Sequence, residues 1–555
     1  MRIRAENGGV SVHAVAGSYV VFLGFDVAEA LRGDLLGFAV EREDITENER
    51  YFLRGLKVFK ETGEGVPAGV PVSTFEHPVQ SFQWGDYTAK PSHDYVYRVI
   101  CVRGKPRNLA YGPEVSVRVT TEPVFGPGHS VIFNRGVAGS QAYARRFGNR
   151  VPDQDNPADP AWAWLSRGLF EGMRDFVRRA QGPRHALRLA VYEFSHRPIL
   201  RELKAALERN VDVRIVYDRR GKEGTGDSKK VWQVTERIAQ AEGLFDRMTA
   251  RKTNSAISHN KFMVLLEDGA PKEVWTGSTN ITAGGIYGQS NVGHVVADPA
   301  VAAAFLAYWQ RLAEDPPFTT IRRANVAAQA DLVDHDVPPP GTTAFFSPRE
   351  TLGMLDWYAN RPRHDKQAFF LTAAFGVDDR FEDALKERTG RLRYLLLERE
   401  DEDQQTIEEN FDVKVAVGSF LDHETVRRDA LTRWLRENLT DLNRHVRFAH
   451  TKFLMVDPLS DDPLIISGSA NFSEASTTRN DENMLVIRGD TRVADLYFGE
   501  FMRLFFHHYF RYLAMRFGDR PSASDVGFLK PTAEAWVPKH FEQGRFHFKQ
   551  RLLFR

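Results

Sequence analysis

The sequence predicts a duplicated α/β core, with two mixed or parallel sheets flanked by helices around a pseudo-two-fold axis, preceded by an all-β sandwich. Two observations predict this fold class. The first part of the 555-residue chain has short apolar, β-rich runs between turn-prone stretches, and the rest alternates strand-like with helix-like segments. In addition, one polar motif occurs twice, at a constant offset of 191 residues.

The N-terminal residues 1–122 are predicted to form a β-sandwich. Their clearest apolar runs are Ser18–Asp26, Leu35–Glu43 and Tyr95–Arg103. The tyrosine-rich run Asp94–Val102 resembles the late strand of immunoglobulin-like fibronectin type III modules. No residue of this region indicates catalysis, so we expect a spacer or docking module.

The region after Pro123 predicts two α/β halves. We place them at residues 123–336 and 344–518, with a Pro-rich linker at 337–343 and a basic, aromatic tail at 519–555. The predicted elements are helix Pro160–Gln181, strand Ala186–Val191, helix Pro198–Glu208, strand Val211–Tyr217 and helix Pro299–Leu312, then strand Ala368–Phe375, helix Arg380–Arg388, strand Leu392–Leu397 and helix Thr491–Met515. This alternation is typical of βαβ units on a mostly parallel sheet.

A histidine–lysine–asparagine motif is repeated in the two halves. The residue pairs that lie 191 positions apart are His259 and His450, Lys261 and Lys452, Gly277 and Gly468, Ser278 and Ser469, and Asn280 and Asn471. A constant offset over five positions indicates duplicated halves that pack face to face around a shared site.

Each histidine stands two residues before its lysine in an apolar run, at 258–265 and 449–456, which predicts a strand. Side chains two apart on a strand point to the same face. The sequence Gly-Ser-x-Asn begins sixteen residues after each lysine, and its turn is predicted to bring a hydroxyl and an amide beside the pair.

These residue types fit phosphodiester chemistry. Two histidines supply a nucleophile or base and an acid, and the lysines, serines and asparagines supply donors for charged non-bridging oxygens. A histidine can attack phosphorus to form a phosphohistidine while its partner protonates the leaving oxygen. Because the lysines neutralise the charge, this chemistry requires no metal and no cofactor.

His-x-Lys-x4-Asp followed by Gly-Ser-x-Asn, twice in one chain, closely resembles the phospholipase D superfamily. The resemblance covers roughly residues 160–515 in layout, with the specific match in the two motif blocks. It implies catalytic roles for the motif histidines, lysines and asparagines, and for Asp457 and Glu482. The serines Ser278 and Ser469, together with Asn291, are expected to bind substrate.

The two motif copies differ in their carboxylates. Where the second copy has Asp457, the first has Leu266, and the first-half residue that corresponds to Glu482 by offset is Asn291. We therefore expect Glu482 to orient His450, leaving His259 with an amide partner. The resemblance favours His259 as the nucleophile and the local carboxylates favour His450 as the base, so the assignment stays open, with a preference for His259.

The superfamily includes phospholipases, transphosphatidylases, nucleases and tyrosyl-DNA phosphodiesterases, so the motif predicts the bond and not the molecule. Both motifs lie in one chain, which favours a monomer. Lys+Arg and Asp+Glu both total 74, which gives no support to strong binding of a nucleic-acid backbone. We expect hydrolysis or transfer on a phospholipid. The alternatives are a nuclease acting on DNA or RNA, for which a defensive role is one option, and a silent binding scaffold.

The C-terminal region is rich in aromatic residues. They are Phe501, Phe505, Phe506, Tyr509, Phe510, Tyr512, Phe541, Phe546, Phe548 and Phe554. A basic, aromatic tail can contact a membrane surface or stack on single-stranded nucleic acid. The favoured prediction is that the aromatic residues form core between the halves and that the tail packs back on the domain.

Polar insertions at Lys222–Ser228 and Glu398–Asn410 are expected to select the substrate, and Phe133–Gln141 precedes the first repeat. The single cysteine, Cys101, lies in an apolar run and is expected to be buried. The N-terminus lacks the apolar segment of a signal peptide, and no stretch approaches the roughly 20 apolar residues of a membrane span. A cytoplasmic protein is expected.

Overall fold

The computed structural model describes most of the chain. The described ranges are 1–67, 70–136, 140–148, 150–153, 156–219, 228–252, 256–376, 378–399, 404–418, 449–517 and 528–555. They form an N-terminal β-sandwich and two α/β halves whose sheets have the same strand order. The duplicated fold class predicted from the sequence is confirmed.

Two four-stranded antiparallel sheets form the sandwich. The strands of the first sheet, in spatial order, are β1 (Arg2–Asn7), β2 (Val10–Ala16), β3 (Val21–Val27) and β9 (Gln83–Asp86). Those of the second are β11 (Asn108–Thr120), β10 (Asp94–Lys105), β4 (Leu35–Asp44) and β5 (Glu49–Phe52). Two short pairs add β6 (Arg54–Gly55) with β8 (Val72–Ser73), and β7 (Val58–Phe59) with β26 (Phe528–Leu529). Cys101 is buried in the core between the sheets.

Each α/β half is built on one seven-stranded sheet. In spatial order the first sheet contains β12 (His129–Phe133), β18 (Val292–Val296), β17 (Ala270–Gly277), β16 (Lys261–Glu267), β13 (His185–Val191), β14 (Asp212–Asp218) and β15 (Met248–Arg251). The second contains β19 (Gly341–Ser347), β25 (Glu482–Arg488), β24 (Leu464–Gly468), β23 (Phe453–Val456), β20 (Ala368–Ala373), β21 (Leu392–Leu397) and β22 (Val413–Val417). Strand β19 begins inside the segment predicted as a linker.

Both large sheets are mixed. In each, the last three strands run parallel and the other neighbours pair antiparallel. The prediction of a mostly parallel sheet is therefore wrong. Helices connect the parallel strands of each half, whereas the motif strands pair antiparallel with their neighbours.

Helices cover both faces of the sheets. In the first half they are α1 (Ser140–Phe147), α2 (Pro160–Ser166), α3 (Leu169–Arg178), α4 (Arg197–Glu208), α5 (Ser228–Ala241), α6 (Pro299–Ala313) and α7 (Phe318–Ala328), with a π-helical turn at Gly284–Gly288. Beyond it they are α8 (Gly353–Ala359), α9 (Arg361–His364), α10 (Asp379–Lys386), α11 (Gln404–Glu408), α12 (Glu474–Thr478), α13 (Thr491–Phe517) and α14 (Phe546–Phe554). Four 3₁₀ turns lie at Glu29–Leu31, Phe245–Arg247, Ala533–Ala535 and Pro538–His540.

The helix predicted over Pro160–Gln181 is divided into α2 and α3. Arg167 and Gly168 both have positive φ values, 50° and 95°, so the chain cannot continue one helical path there. Asp159 caps α2 by accepting a hydrogen bond from the Ala161 N–H at 2.9 Å.

The aromatic residues of α13 contribute to the core, as predicted. Phe501 and Phe505 are buried in a cluster that also contains side chains from both large sheets. The described part of the tail packs back on the protein, where the Phe554 ring lies 5.0 Å from that of Phe22, centroid to centroid. Among the helices of the described residues, none combines the length and apolar character that crossing a bilayer requires.

Candidate active site

The two motif copies meet where the halves face each other. The His259 main-chain N–H donates to the Asp481 carbonyl of the second half at 2.9 Å. In the reverse direction, the His450 N–H donates to the Ser290 carbonyl of the first half at 3.0 Å. These reciprocal bonds bring both histidines to one buried site within a single chain.

The histidines precede the motif strands instead of lying in them, which corrects the strand prediction. Strand β16 begins at Lys261 and β23 at Phe453, because the histidine N–H groups bond across the halves and not to a neighbouring strand. The lysines still turn toward the histidines. The Lys261 Nζ donates to the His259 carbonyl at 2.6 Å, and the Lys452 Nζ donates to the His450 carbonyl at 2.9 Å.

His259 is paired with a buried carboxylate. Its Nδ1 lies 3.0 Å from each oxygen of Glu482. The carboxylate also accepts hydrogen bonds from the Ser469 hydroxyl at 2.8 Å, the Ser476 hydroxyl at 3.2 Å and the Asn480 amide at 3.3 Å. Three protein donors thus fix the carboxylate in position to receive the Nδ1–H of His259, which leaves Nε2 with a lone pair.

His450 is paired with an amide. Its Nδ1 lies 2.9 Å from the Asn291 Oδ1, which also accepts a hydrogen bond from the Ser278 hydroxyl at 2.8 Å. The Asn291 Nδ2 donates to the Gly285 carbonyl at 2.8 Å, which fixes the orientation of the amide. Because an amide oxygen only accepts, the proton of neutral His450 lies on Nδ1.

The orienting partners are exchanged between the halves, so the expected pairing is wrong. Glu482 orients His259 and not His450, and Asn291 orients His450 and not His259. Glu482 follows Asp481, whose main chain bonds to the segment before His259, and its side chain consequently reaches the histidine of the other half.

Burial and charge both act on the protonation of this site. Desolvation, followed by the charges of Lys261 and Lys452, lowers the pKa of His259 well below 6.5. The pKa of His450 is lowered well below 6.5 by the same causes in the order desolvation, Lys452, Lys261 and His259. Desolvation raises the pKa of Glu482 to about 7. The site without a ligand therefore favours two neutral imidazoles.

The lysines are buried close to each other. Desolvation lowers the pKa of Lys261 to about 8, opposed by the carboxylates of Glu482 and Glu193. The pKa of Lys452 falls well below 10.5 because of desolvation and the charge of Lys261. An anion bound between these amines would relieve their repulsion, so the electrostatics of the site favour a negatively charged ligand.

The predicted substrate-binding serines lie behind the histidine partners. Both serines are fully buried. The Ser278 hydroxyl donates to Asn291, and the Ser469 hydroxyl donates to Glu482. Their hydroxyl protons are consequently used to hold the orienting groups.

The motif asparagines are inequivalent. The Asn280 Nδ2 donates to Glu193 Oε2 at 2.6 Å, and Glu193 belongs to neither motif copy. In the part of the chain that the structure describes, the Oδ1 atoms of Asn280 and Asn471 are buried without a hydrogen-bond partner.

Comparison with known proteins identifies this arrangement. The family described as "Cardiolipin synthase, PLD-like domain" matches residues 174–313 and 383–505, so it covers a motif copy in each half. The chain therefore contains a duplicated phospholipase D-like core. A comparison with curated proteins finds no match.

Several solved structures are similar to parts of this chain. Phosphatidylserine synthase from Haemophilus influenzae is 14% identical over 66% of this chain and 94% of its own, with a TM-score of 0.42. Nuc from Salmonella typhimurium is 30% identical over 26% of this chain and 87% of its own, with a TM-score of 0.20. Polyphosphate kinase from Porphyromonas gingivalis is 12% identical over 59% of this chain, with a TM-score of 0.36, and this chain spans 43% of its length.

The motif aspartate of the superfamily, Asp457, lies at the far end of its strand and not at the histidines. Its carboxylate accepts hydrogen bonds from the main-chain N–H groups of Lys366, Gln367 and Ala368 at 2.7–2.9 Å. The prediction of a catalytic Asp457 is thus wrong in its location. By strand register its first-half equivalent is Leu266, and Asp268, two residues further on, is the residue that directly follows β16 with φ near 50°, as Asp457 directly follows β23.

Two further carboxylates hold the motif segments. The Asp218 side chain accepts a hydrogen bond from the Ser258 N–H at 2.8 Å, and the Glu398 side chain accepts one from the Ala449 N–H at 2.7 Å. Each carboxylate directly follows or ends a parallel strand, so a polar residue at the carboxyl end of a buried run is the sequence signal that would have identified it.

The insertions expected to select the substrate fall partly outside the described residues. Residues 222–227 of the first insertion and 400–403 of the second lie outside the described residues, and so do residues 137–139 of the separate segment Phe133–Gln141.

Proposed function

We propose that this chain is a phosphodiesterase that cleaves or transfers a phosphodiester through a covalent phosphohistidine at His259, with a phospholipid as the favoured substrate. The observation that carries the proposal is the pairing of His259 Nδ1 with the buried Glu482 carboxylate, while His450 has only an amide. A carboxylate makes the imidazole more basic and stabilises the positive charge that develops on attack.

In the first step, the Nε2 lone pair of His259 attacks phosphorus, an N–P bond forms and the P–O bond to the leaving alcohol breaks. Lys261 and Lys452 neutralise the non-bridging oxygens, whose charge is greatest in the transition state. The proposed reaction needs no metal ion, because these two amines supply the positive charge.

His450 supplies the proton to the leaving oxygen. The pKa of its imidazole is lowered by burial and by the neighbouring lysines. A phosphodiester anion between those lysines offsets their charge and raises the pKa of His450, so substrate binding itself favours the protonated acid. Asn291 Oδ1 keeps Nδ1–H bonded, so the proton that is transferred comes from Nε2.

In the second step the roles reverse. Neutral His450 takes a proton from water or from an alcohol, whose oxygen attacks the phosphohistidine and breaks the N–P bond. Water gives hydrolysis, and an alcohol gives a new diester. The same geometry supports either acceptor.

A phospholipid is the favoured substrate for two reasons. The matching family is described by the name of a phospholipid synthase, and the equal numbers of acidic and basic residues give no general attraction for a polyanionic nucleic acid. Both reasons concern the identity of the substrate and not the reaction. The experiment therefore has to distinguish lipid substrates from nucleic-acid substrates.

The test is a diester panel in the presence of EDTA: bis-p-nitrophenyl phosphate, mixed phospholipid vesicles with and without a short alcohol, and single- and double-stranded DNA and RNA. We expect turnover of the chromogenic diester, release of headgroup, and phosphatidyl-alcohol when the alcohol is present. All activities should be lost in His259→Ala.

Cleavage of nucleic acid with intact lipids would replace the lipid proposal by a nuclease. Binding without any turnover or phosphohistidine over the whole panel would leave a binding scaffold and exclude the enzyme.

A further inference from the structure

A second cationic site lies outside the motif residues, where the β-sandwich meets the first half. A cavity of about 420 Å³ is lined by Tyr19, Val124, Phe125, Arg135, Arg167 and Glu171, with small residues completing its wall. A volume of this size accommodates a small molecule. None of the residues that hold the two histidines lines it.

The arginines around this cavity outnumber the carboxylates bonded to them. Arg167 makes a two-pronged contact with Glu500, with both distances at 2.8 Å, and Arg503 donates to the same carboxylate at 2.7 Å. Arg135 has no carboxylate among its described hydrogen-bond partners. Its guanidinium donates to the Trp164 carbonyl at 3.0 Å and lies 4.4 Å above the indole ring. One carboxylate therefore serves two of three converging arginines.

Burial and the excess positive charge both act on the protonation of Arg135. Burial, followed by the charges of Arg167 and Arg503, lowers the pKa of Arg135 to about 9. A guanidinium is almost always protonated in proteins. A lowered pKa therefore marks a position where the positive charge is poorly compensated and where a bound anion would be stabilised. Glu171 adds a negative charge to the cavity wall, but its carboxylate accepts a hydrogen bond from the Ser166 hydroxyl at 2.6 Å.

We propose that this cavity is a binding site for a small, water-soluble phosphomonoester, with Arg135 as its main anion-binding residue. A planar guanidinium presents donors that match phosphate oxygens. The apolar wall formed by Val124, Phe125 and the Tyr19 ring receives the organic part of the ligand. The volume is too small for a lipid with two acyl chains, which separates this ligand from the proposed substrate.

A chain of hydrogen bonds connects the surroundings of the cavity to the active site. Arg503 donates to the Asn134 carbonyl at 2.8 Å, and the Asn134 side chain accepts a hydrogen bond from the Asn291 N–H at 2.9 Å. Asn291 in turn bonds to His450. The two sites are thus neighbours on one hydrogen-bonded framework, and binding measurements have to separate them.

The test uses phenyl phosphate as the probe and isothermal titration calorimetry on the full chain. In a Lys261→Gln/Lys452→Gln background, in which the active site no longer attracts an anion, we expect one binding event to persist. Adding Arg135→Gln should weaken it by about tenfold or more. Arg135→Lys, which keeps the positive charge but loses the paired N–H donors of the guanidinium, should bind phenyl phosphate with intermediate affinity. Arg145→Gln, an exposed site on α1, should bind as its parent does.

A second measurement does not depend on any variant folding. In wild-type protein, phenyl phosphate should slow the modification of Arg135 by phenylglyoxal, as read from peptide masses, and should leave Arg145 unprotected. The proposal is overturned if the lysine background binds nothing, if Arg135→Gln binds as tightly as its parent, or if Arg135 is modified at the same rate with and without the probe.

Discussion

The two halves have the same strand order, but they prepare their histidines differently. The first-half histidine, His259, has a carboxylate partner, and the second-half histidine, His450, has an amide. Each partner comes from the opposite half. The duplicated halves therefore contain two similar histidines, and the exchange of partners across the interface gives one a carboxylate partner and the other an amide partner.

The cleft-side ends of the halves differ as well. Strand β13 is followed by Tyr192 and Glu193, and by strand register the equivalent positions after β20 are Ala374 and Phe375. The Tyr192 ring makes an edge contact with His259 at a centroid distance of 5.1 Å, whereas Phe375 is 42% exposed. The end of β13 near His259 is thus polar and the equivalent end of β20 is apolar, so we expect the substrate to bind in one orientation.

The sharpest test of this difference compares His259→Ala with His450→Ala. Each change should lower kcat on the order of 10²–10⁴-fold, since each removes a proton-transfer or covalent role. With bis-p-nitrophenyl phosphate, whose leaving group needs little protonation, His450→Ala should still release one equivalent of nitrophenol and then stall as a phosphoenzyme. Rapid-quench kinetics and intact-protein mass measure both.

His259→Ala should show no burst and no added phosphate. A burst in His259→Ala together with its absence in His450→Ala would reverse the two roles.

The orienting partners should also differ in importance. Glu482→Gln removes the negative charge beside the developing imidazolium and should lower kcat by about 10²-fold or more. Asn291→Ala removes one neutral hydrogen bond and should lower kcat by only about tenfold. Steady-state rates with the chromogenic diester measure the two effects, with circular dichroism as the control for folding. Equal losses would show that the halves are functionally symmetric.

The pH profile should reflect the same asymmetry. The pKa of Glu482 is raised to about 7, so kcat/KM should rise with pH up to that region as the carboxylate loses its proton and accepts from His259. The pKa of Lys261 is lowered to about 8, so kcat/KM should fall above that pH as the amine loses the charge that binds phosphate.

The acidic limb should disappear in Glu482→Gln and persist in Asn291→Ala. A flat profile between pH 6 and 9 would exclude both assignments. Because Glu482 and His259 share a proton, the lower limb belongs to the pair.

The smallest effect is expected at the aspartates that end the motif strands. Asp457 is buried and accepts three main-chain hydrogen bonds, so Asp457→Asn should lower the free energy of unfolding by about 1–3 kcal/mol. Asp268 is exposed and paired with Arg184, so Asp268→Asn should leave the denaturation midpoint unchanged. Urea unfolding gives both values, and kcat should stay within about twofold of wild type. A large loss of kcat without a loss of stability in Asp457→Asn would return that residue to the active site.

Sequence pattern alone was enough to predict the duplicated core, the sandwich and the central site residues. The constant offset of the motif pairs can be read directly by comparing positions along the chain. Alternating apolar runs predict strands wherever one face is buried. The motif histidines, lysines and Asn280 were accordingly found without a structure. The correspondence between β16 and β23, including Leu266 in place of Asp457, was also predictable from the sequence.

Only the tertiary structure decided which residue orients which histidine. Offsets pair Glu482 with His450 because they compare positions along the chain, whereas hydrogen bonds depend on which main-chain segments meet across the interface. The bonds of His259 to Asp481 and of His450 to Ser290 cross between the halves and bring Glu482 and Asn291 to the opposite histidines. The sequence determined the set of reacting groups, and the packing of the two halves determined their different protonation, because that depends on contacts between residues far apart in the chain.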